Sequence, residues 1–236
     1  MKTIKWSVFA LLLGMVSLTS CKKKGCMDEA AVNYDDKAKK DDGTCNFKPV
    51  ITIVGANPAT VNVGGQYNDA GATAFVKNGG AVDVSTDLSA VNTAETGSFN
   101  VIYSASNEHG TTTATRTVNV VLGQSSFLGN YESTNDCDNF GFPHVASPQI
   151  IAGDSPNQVK IESAFTLIGG TIVFNISGSN VTVPPTSINL PLGAGTLDFS
   201  GTGTMNSTAT VMTVNYDWTR TGLLQDSGAC TVVYTK

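Results

Sequence analysis

Positive charge is nearly missing from most of this chain. Over the whole sequence 14 Lys and Arg stand against 19 Asp and Glu, a formal net charge of -5. From Pro49 onward the only basic residues are Lys77, Arg116, Lys160, Arg220 and Lys236. Proteins that neutralise nucleic-acid phosphates need clustered Lys or Arg, so nucleic acid is excluded as a partner. Histidine is scarcer still: His109 and His144 are the two in the chain, each in what reads as a loop, and no Gly-x-Ser-x-Gly frame surrounds a serine. No Cys-x-x-Cys pair suggests a metal site. Glycosidases hold two carboxylates across a cleft. Here Asp136 and Asp138 flank Cys137 with Glu132 nearby, which reads as a polar loop around a disulfide. The Gly-x-Gly pairs at 193–195 and 201–203 lack a following helix to hold a phosphate and read as turns. The expectation is a non-enzyme with no catalytic residue, no metal and no cofactor.

Long apolar runs are also absent after the first twenty residues, so no later helix is expected to span a bilayer, which takes about 20 apolar residues. The first twenty have their own pattern. Lys2 and Lys5 give a basic head, residues 8–16 an apolar run, and Leu18-Thr19-Ser20-Cys21 a close of small residues. That is the three-part form of an export signal. The closing tetrapeptide resembles the lipobox of bacterial lipoproteins. The resemblance implies a thioether-linked diacylglycerol on Cys21, cleavage before it, and a bilayer as partner. One acyl chain binds only marginally at about 0.8 kcal/mol per buried methylene, whereas two or more anchor stably. The implied address is the bacterial outer membrane, on its periplasmic face or at the cell surface. Lys22, Lys23 and Lys24, which follow the cysteine, lean towards the periplasmic face.

Five cysteines occur. Assigning Cys21 to lipid leaves Cys26, Cys45, Cys137 and Cys230, an even set that reads as two disulfides in an exported chain. Three pairings are open, and locality favours Cys26–Cys45 with Cys137–Cys230.

Residues 1–20 are thus read as a signal peptide and 21–48 as a cysteine-bracketed module. The module runs from Gly25-Cys26 to Asp41-Asp42-Gly43-Thr44-Cys45 and resembles short modules of exported proteins from Gram-negative bacteria. Its acids lack the alternating spacing and terminal Glu of a calcium loop.

Residues 49–122 read as strand after strand. A β-branched run at 50–54 is bounded by Pro49 and Gly55, and Asn78-Gly79 supplies the positive φ of a hairpin turn. Phe99, Val101, Tyr103 and Ala105 share one face of a long strand, and Val118 and Val120 point inward from the next. About seven short strands with regular turns predict an immunoglobulin-type sandwich. Pro49-Val50-Ile51-Thr52-Ile53, Gly65-Gln66-Tyr67-Asn68-Asp69-Ala70-Gly71-Ala72, Thr96-Gly97-Ser98-Phe99-Asn100-Val101-Ile102-Tyr103 and Thr115-Arg116-Thr117-Val118-Asn119-Val120 resemble the bacterial Ig-like domains of surface proteins. Similar domains occur in some pesticidal crystal proteins and stand close to the hyalin repeat. The resemblance implies a spacer or adhesion role. Phe99 stands where related sandwiches place a corner tyrosine, so that hydroxyl bond is expected to be missing.

Residues 123–126 read as a linker, and 127–236 as a second antiparallel β domain, either a barrel or a sandwich. Met212, Val214, Tyr216 and Trp218 alternate with Thr213, Asn215 and Asp217, the mark of a sheet with one wet face. Pro184-Pro185 argues against a central strand at that point. Gly129-Asn130-Tyr131 resembles the opening of lipocalin-like barrels. The fold class expected is all-β, an Ig-like β-sandwich followed by a second antiparallel barrel or sandwich. The function expected is that of an anchored lipoprotein whose sandwich presents a binding or adhesion domain to a carbohydrate or protein ligand. The candidate ligand contacts are Phe140 and Phe142, in an irregular loop. A small-ligand carrier with a hollow barrel and a carbohydrate-active enzyme are the alternatives: a wide apolar cavity would favour the first, a cleft with paired carboxylates the second.

Overall fold

The computed structural model of the chain describes residues 22–137, 144–166, 168–223 and 225–236. Cys21, Phe140 and Phe142 lie outside the described residues. The chain forms three bodies in line.

The first is the cysteine-bracketed module. Two-residue strands β1 (Lys24–Gly25) and β2 (Lys40–Asp41) pair in parallel, and Cys26 is bonded to Cys45. Asp side chains readily accept from the backbone N–H two residues on. Asp28, Asp35, Asp41 and Asp42 all do so, each at 3.0 Å. The acids therefore close successive turns. The module docks on the next domain through Phe47, buried with Cys26 and Ala31 against Val76. Lys77 pairs with Asp28 and lies 5.1 Å over the Phe47 ring, and Asn107 Nδ2 donates to the Phe47 carbonyl at 2.7 Å.

The second body is an Ig-like sandwich. One sheet holds β3 (Val50–Ile53), β5 (Ala72–Val76) and β6 (Gly80–Val82). The other holds β4 (Ala59–Asn62), β7 (Ser85–Asp87), β8 (Gly97–Asn107) and β9 (Gly110–Val121), in the order β4-β9-β8-β7. β4 runs parallel to β9, and β8 and β9 form a long antiparallel hairpin. Asn78 turns the β5–β6 hairpin with φ 64°, as Asn-Gly predicts. Val101, Tyr103 and Val118 centre the core. Phe99 has no hydroxyl to give, and Tyr103 and Tyr67 both donate their hydroxyls to Asp69 Oδ1, at 2.7 and 2.9 Å.

The third body begins with a helical turn, α1 (Gln124–Phe127), where the sequence reads as linker and then strand. Strands β10 (Gly129–Asn130), β11 (Glu132–Asn135), β12 (Gln149–Ala152), β13 (Gln158–Ile161), β14 (Ile172–Ser177), β15 (Asn180–Asn189), β16 (Gly195–Met205), β17 (Val211–Gly222) and β18 (Asp226–Thr235) follow. From β12 to β18 each strand pairs with the next. One stretch closes the ring: β10 pairs with β12, the chain passes Tyr131, and β11 pairs with β18. The result is a nearly closed nine-stranded antiparallel barrel, the barrel alternative of the two expected.

Two local expectations fail here for identifiable reasons. Pro184-Pro185 sits inside central strand β15, where the register shifts between Val183 and Thr186. A bulge leaves residues unpaired, so the missing proline N–H groups cost no ladder bond. Gly201 and Gly203 lie within β16, facing the interior side. A Cβ on Gly203 would stand 2.1 Å from the Thr213 carbonyl oxygen and one on Gly201 3.2 Å from the Tyr216 ring. These glycines bring β16 close to β17 and leave room for the tyrosine.

Sandwich and barrel share a core. Val63, Val120 and Leu122 belong to the same apolar cluster as Phe127, Met205 and Ala209. Across the junction Asn62 Nδ2 donates to Ser125 Oγ at 3.0 Å, and Thr96 N–H donates to the Ser207 carbonyl at 2.9 Å. Gln124 Nε2 donates to the carbonyls of Ser155 and Gln158. The cysteine module meets the sandwich near Asn107, at one end of the β8–β9 hairpin, and the barrel joins at the other end, past Val121. At about 3.3 Å per residue, strand β9 holds the two roughly 40 Å apart.

Candidate functional site

The barrel interior is packed with side chains. Phe174, Met212, Val214 and Val232 are fully buried, with Tyr131, Tyr216 and Tyr234 almost so. The hydroxyls of Tyr216 and Tyr234 meet at 3.0 Å, which satisfies two polar groups that would otherwise be costly to bury. Burial raises both phenols above their ordinary range, with the neighbouring hydroxyl a further influence. Phe174 meets Tyr234, and Phe165 meets Phe199, edge to face. Aromatic side chains thus fill much of the described interior.

The barrel has a bound end and a far end. The β12–β13, β14–β15 and β16–β17 connections face the sandwich, as the contacts of Ser155, Ser207 and Gln124 show. The β11–β12, β13–β14, β15–β16 and β17–β18 connections leave from the opposite end. Two of these carry fully solvent-facing leucines. Leu192, in the tight turn Pro191–Gly193, is 104% exposed, and Leu223 is 84% exposed. The Leu223 N–H donates to the Ala194 carbonyl at 3.1 Å, tying the two tips together. Arg220 grips Asp226 at the base of the β17–β18 hairpin through Nε–Oδ1 at 2.6 Å and a second Nη2–Oδ2 bond. That hydrogen bond holds the Asp226 carboxyl below its ordinary value.

The stem of the β11–β12 connection is heavily braced. Cys137 is bonded to Cys230, so both locally paired disulfides are present. Asp136 Oδ1 accepts from Thr231 N–H at 2.5 Å. Asn135 Nδ2 lies 3.1 Å from His144 Nε2, Ser133 Oγ donates to the Val145 carbonyl, and Glu132 accepts from Ser147. The described acids singled out around Cys137, namely Glu132 and Asp136, therefore fasten this loop. His109 lies 3.4 Å from Glu108 in the β8–β9 turn, far along the chain from the barrel.

Near the same end, the outer face of β15–β18 is hollowed into an open groove of about 600 Å³. Register places Ser187, Asp198, Thr219 and Ser227 on one rung, and Ser200 and Asp217 on the next. Pro185, displaced by the bulge, borders it. Trp218 turns its indole inward and is 7% exposed. Its neighbour across the ladder is Gly228, where a Cβ would lie 2.8 Å from the ring.

Comparison with known proteins bears on the sandwich. Residues 51–120 match the family of the bacterial surface protein, Ig-like domain. The match covers the sandwich alone and is consistent with a place in the cell envelope. A crystal structure of the lipoprotein BT2262 from Bacteroides thetaiotaomicron aligns with 80% of this chain and 100% of that chain, at 15% identity and a TM-score of 0.28. No curated protein matches the chain. The surface-type Ig-like domain thus stands between the cysteine module and the barrel.

The leucine tips and the groove carry no motif. Their sequence signals were the wet-face positions of β16 and β17, among them Asp217, and a Pro-Leu-Gly turn. Neither signal says that four strands would converge on one hollow.

Proposed function

We propose that this chain is a lipid-anchored extracytoplasmic lipoprotein whose Ig-like domain holds a non-catalytic binding barrel away from the membrane. The observation that carries the reading is the polarity of the molecule. The cysteine module that follows Cys21 packs at one end of the sandwich, through Phe47 and Asn107. The braced loop stem, the leucine tips and the groove gather at the far end of the barrel. Packed junctions make the sandwich a rigid spacer, and binding residues are commonly carried on loops that a rigid scaffold positions. The family of the sandwich, a domain of bacterial surface proteins, supports the address. The packed interior supports a ligand held on the outside of the barrel, by contact.

The test is metabolic labelling of the full chain with radioactive palmitate in a bacterium that processes lipoproteins, beside Cys21→Ala. The expected result is label in the membrane fraction that disappears with the substitution. Equal label in both, or a soluble unlabelled protein, overturns the anchor.

A further inference from the structure

We infer that the groove on the outer face of β15–β18 is a binding site for an uncharged, polyhydroxylated ligand such as a neutral glycan. The inference rests on reading the barrel as the binding domain and names the ligand class that domain takes.

Among the described residues, the groove collects hydroxyls and carboxylates on adjoining rungs of four strands. Part of the lining is engaged within the fold: Asp198 Oδ2 accepts from Thr196 Oγ1 at 3.0 Å, and Thr186 Oγ1 donates to the Pro184 carbonyl at 2.9 Å. Within the groove, among the described residues, Ser187, Ser200, Asp217, Thr219 and Ser227 make no side-chain hydrogen bond. Their donors and acceptors are left for something outside the fold. The hollow owes its border to the proline bulge, a feature that recurs where a strand must re-aim its side chains near a site.

The lining chemistry selects the ligand. Among the described residues no Lys or Arg lines the groove, the nearby Arg220 is held by Asp226, and Asp198 and Asp217 stand in it, so a phosphate, sulfate or carboxylate would meet repulsion. Among the described lining residues the two aromatics, Phe199 and Trp218, are both buried, so neither offers a platform for a flat apolar ligand. Among the described residues no three metal-ligating side chains cluster to hold a cation. What remains is a set of hydroxyls, each able to donate and accept, and two carboxylates that accept only. Sugar hydroxyls complement both. A volume of about 600 Å³ falls in the range of small-molecule sites, roughly 300–1,000 Å³.

The test is an array of immobilised neutral, sialylated and sulfated oligosaccharides probed with the whole mature chain. Asp217→Leu and Ser200→Trp serve as groove variants, and Thr204→Ala, on the same outer face beyond the groove, as the control. Circular dichroism and thermal melts check that each variant folds. The expected result is selective binding to neutral oligosaccharides, unchanged in the control and weakened at least about tenfold in both groove variants. The tenfold follows from losing a hydrogen bond to a charged group, or from filling the hollow. Binding confined to the charged glycans, no binding to any glycan, or equal binding by wild type and folded groove variants overturns the inference. In the last case a glycan-binding barrel stands while the groove falls. Loss of palmitate labelling would remove the anchor without touching this result.

Discussion

Arg116 Nη1 lies 2.5 Å from Asp69 Oδ1 in the middle of the sandwich, with the two side chains only 2% and 10% exposed. Arg116 also donates to the Tyr67 hydroxyl and to the carbonyls of Val54 and Gly71. Asp69 accepts from Tyr67, Tyr103 and the Gly71 N–H. The pair ties β9 to the loop between the two sheets. Breaking a buried pair by removing one partner leaves an uncompensated charge and costs about 3–5 kcal/mol. Asp69→Ala is therefore expected to lower the unfolding free energy of the sandwich by that amount. Urea denaturation checks it, and a loss under about 1 kcal/mol would contradict the account.

The same pair sets a pH dependence. Burial by itself pushes the Asp69 carboxyl up, but hydrogen bonds from Tyr103 and Tyr67 and the Arg116 charge more than reverse this, so it ionises below its ordinary value. A depressed carboxyl pKa stabilises the fold above the unfolded value, about 3.9, and that stability is lost as pH falls through the folded value. The sandwich should hold its stability from neutral pH down to about 4 and lose it below. In Asp69→Asn the loss below pH 4 should be smaller, a difference that melts recorded from pH 2 to pH 7 would expose.

The disulfides differ in what they close. Cys137 and Cys230 are 93 residues apart and Cys26 and Cys45 only 19. In the chain-entropy picture the first is worth about 4.7 kcal/mol and the second about 3. Cys137→Ser with Cys230→Ser should thus cost the barrel more than the matching change costs the module, as calorimetry of the two double variants would show.

Much of this architecture was legible from alternation and turn residues, and the site was not. Alternating residues in β8 and β17 predict buried faces because one face of each strand meets a core. Even Arg116 was readable: it shares parity with Val118 and Val120, so it must face inward and needs a partner. Pro184-Pro185 and Gly201-Thr202-Gly203 misled for one reason. Local propensity marks them as breaks, while the tertiary fold uses the first as a bulge and the second for close approach of strands. Residues 123–126 read as a short linker, yet Gln124 and Ser125 are fixed by partners more than thirty residues away. The groove depends on four strands meeting in a particular register, which no local pattern encodes.

That junction is tight enough to test. A Cβ on Gly123 would lie 2.5 Å from Asn62 Oδ1, while its φ of -115° is open to any residue. The constraint is space alone. Gly123→Val should force the Asn62 amide away from Ser125 and remove that hydrogen bond across the junction. Small-angle scattering should then show a broader distribution of lengths, and a single melting transition should split into two. An unchanged profile would mean that the apolar cluster alone holds the two domains.

Leu192 offers the opposite sign. Its φ of 59° is left-handed backbone, which costs a non-glycine residue about 1–2 kcal/mol, and its side chain is wholly exposed. Nothing in the fold rewards a leucine there, so Leu192→Gly should stabilise the barrel, less the larger chain entropy glycine brings to the unfolded state. The net gain should be up to about 1 kcal/mol in guanidinium denaturation. Residues held in strained conformations cluster at ligand clamps, and a fully exposed apolar side chain held there fits a contact made at the tip. If the strain serves such a contact, the same substitution that raises stability should weaken adherence of bacteria displaying the barrel, while Thr204→Ala leaves it alone. A variant both less stable and equally adherent would contradict each half of that expectation.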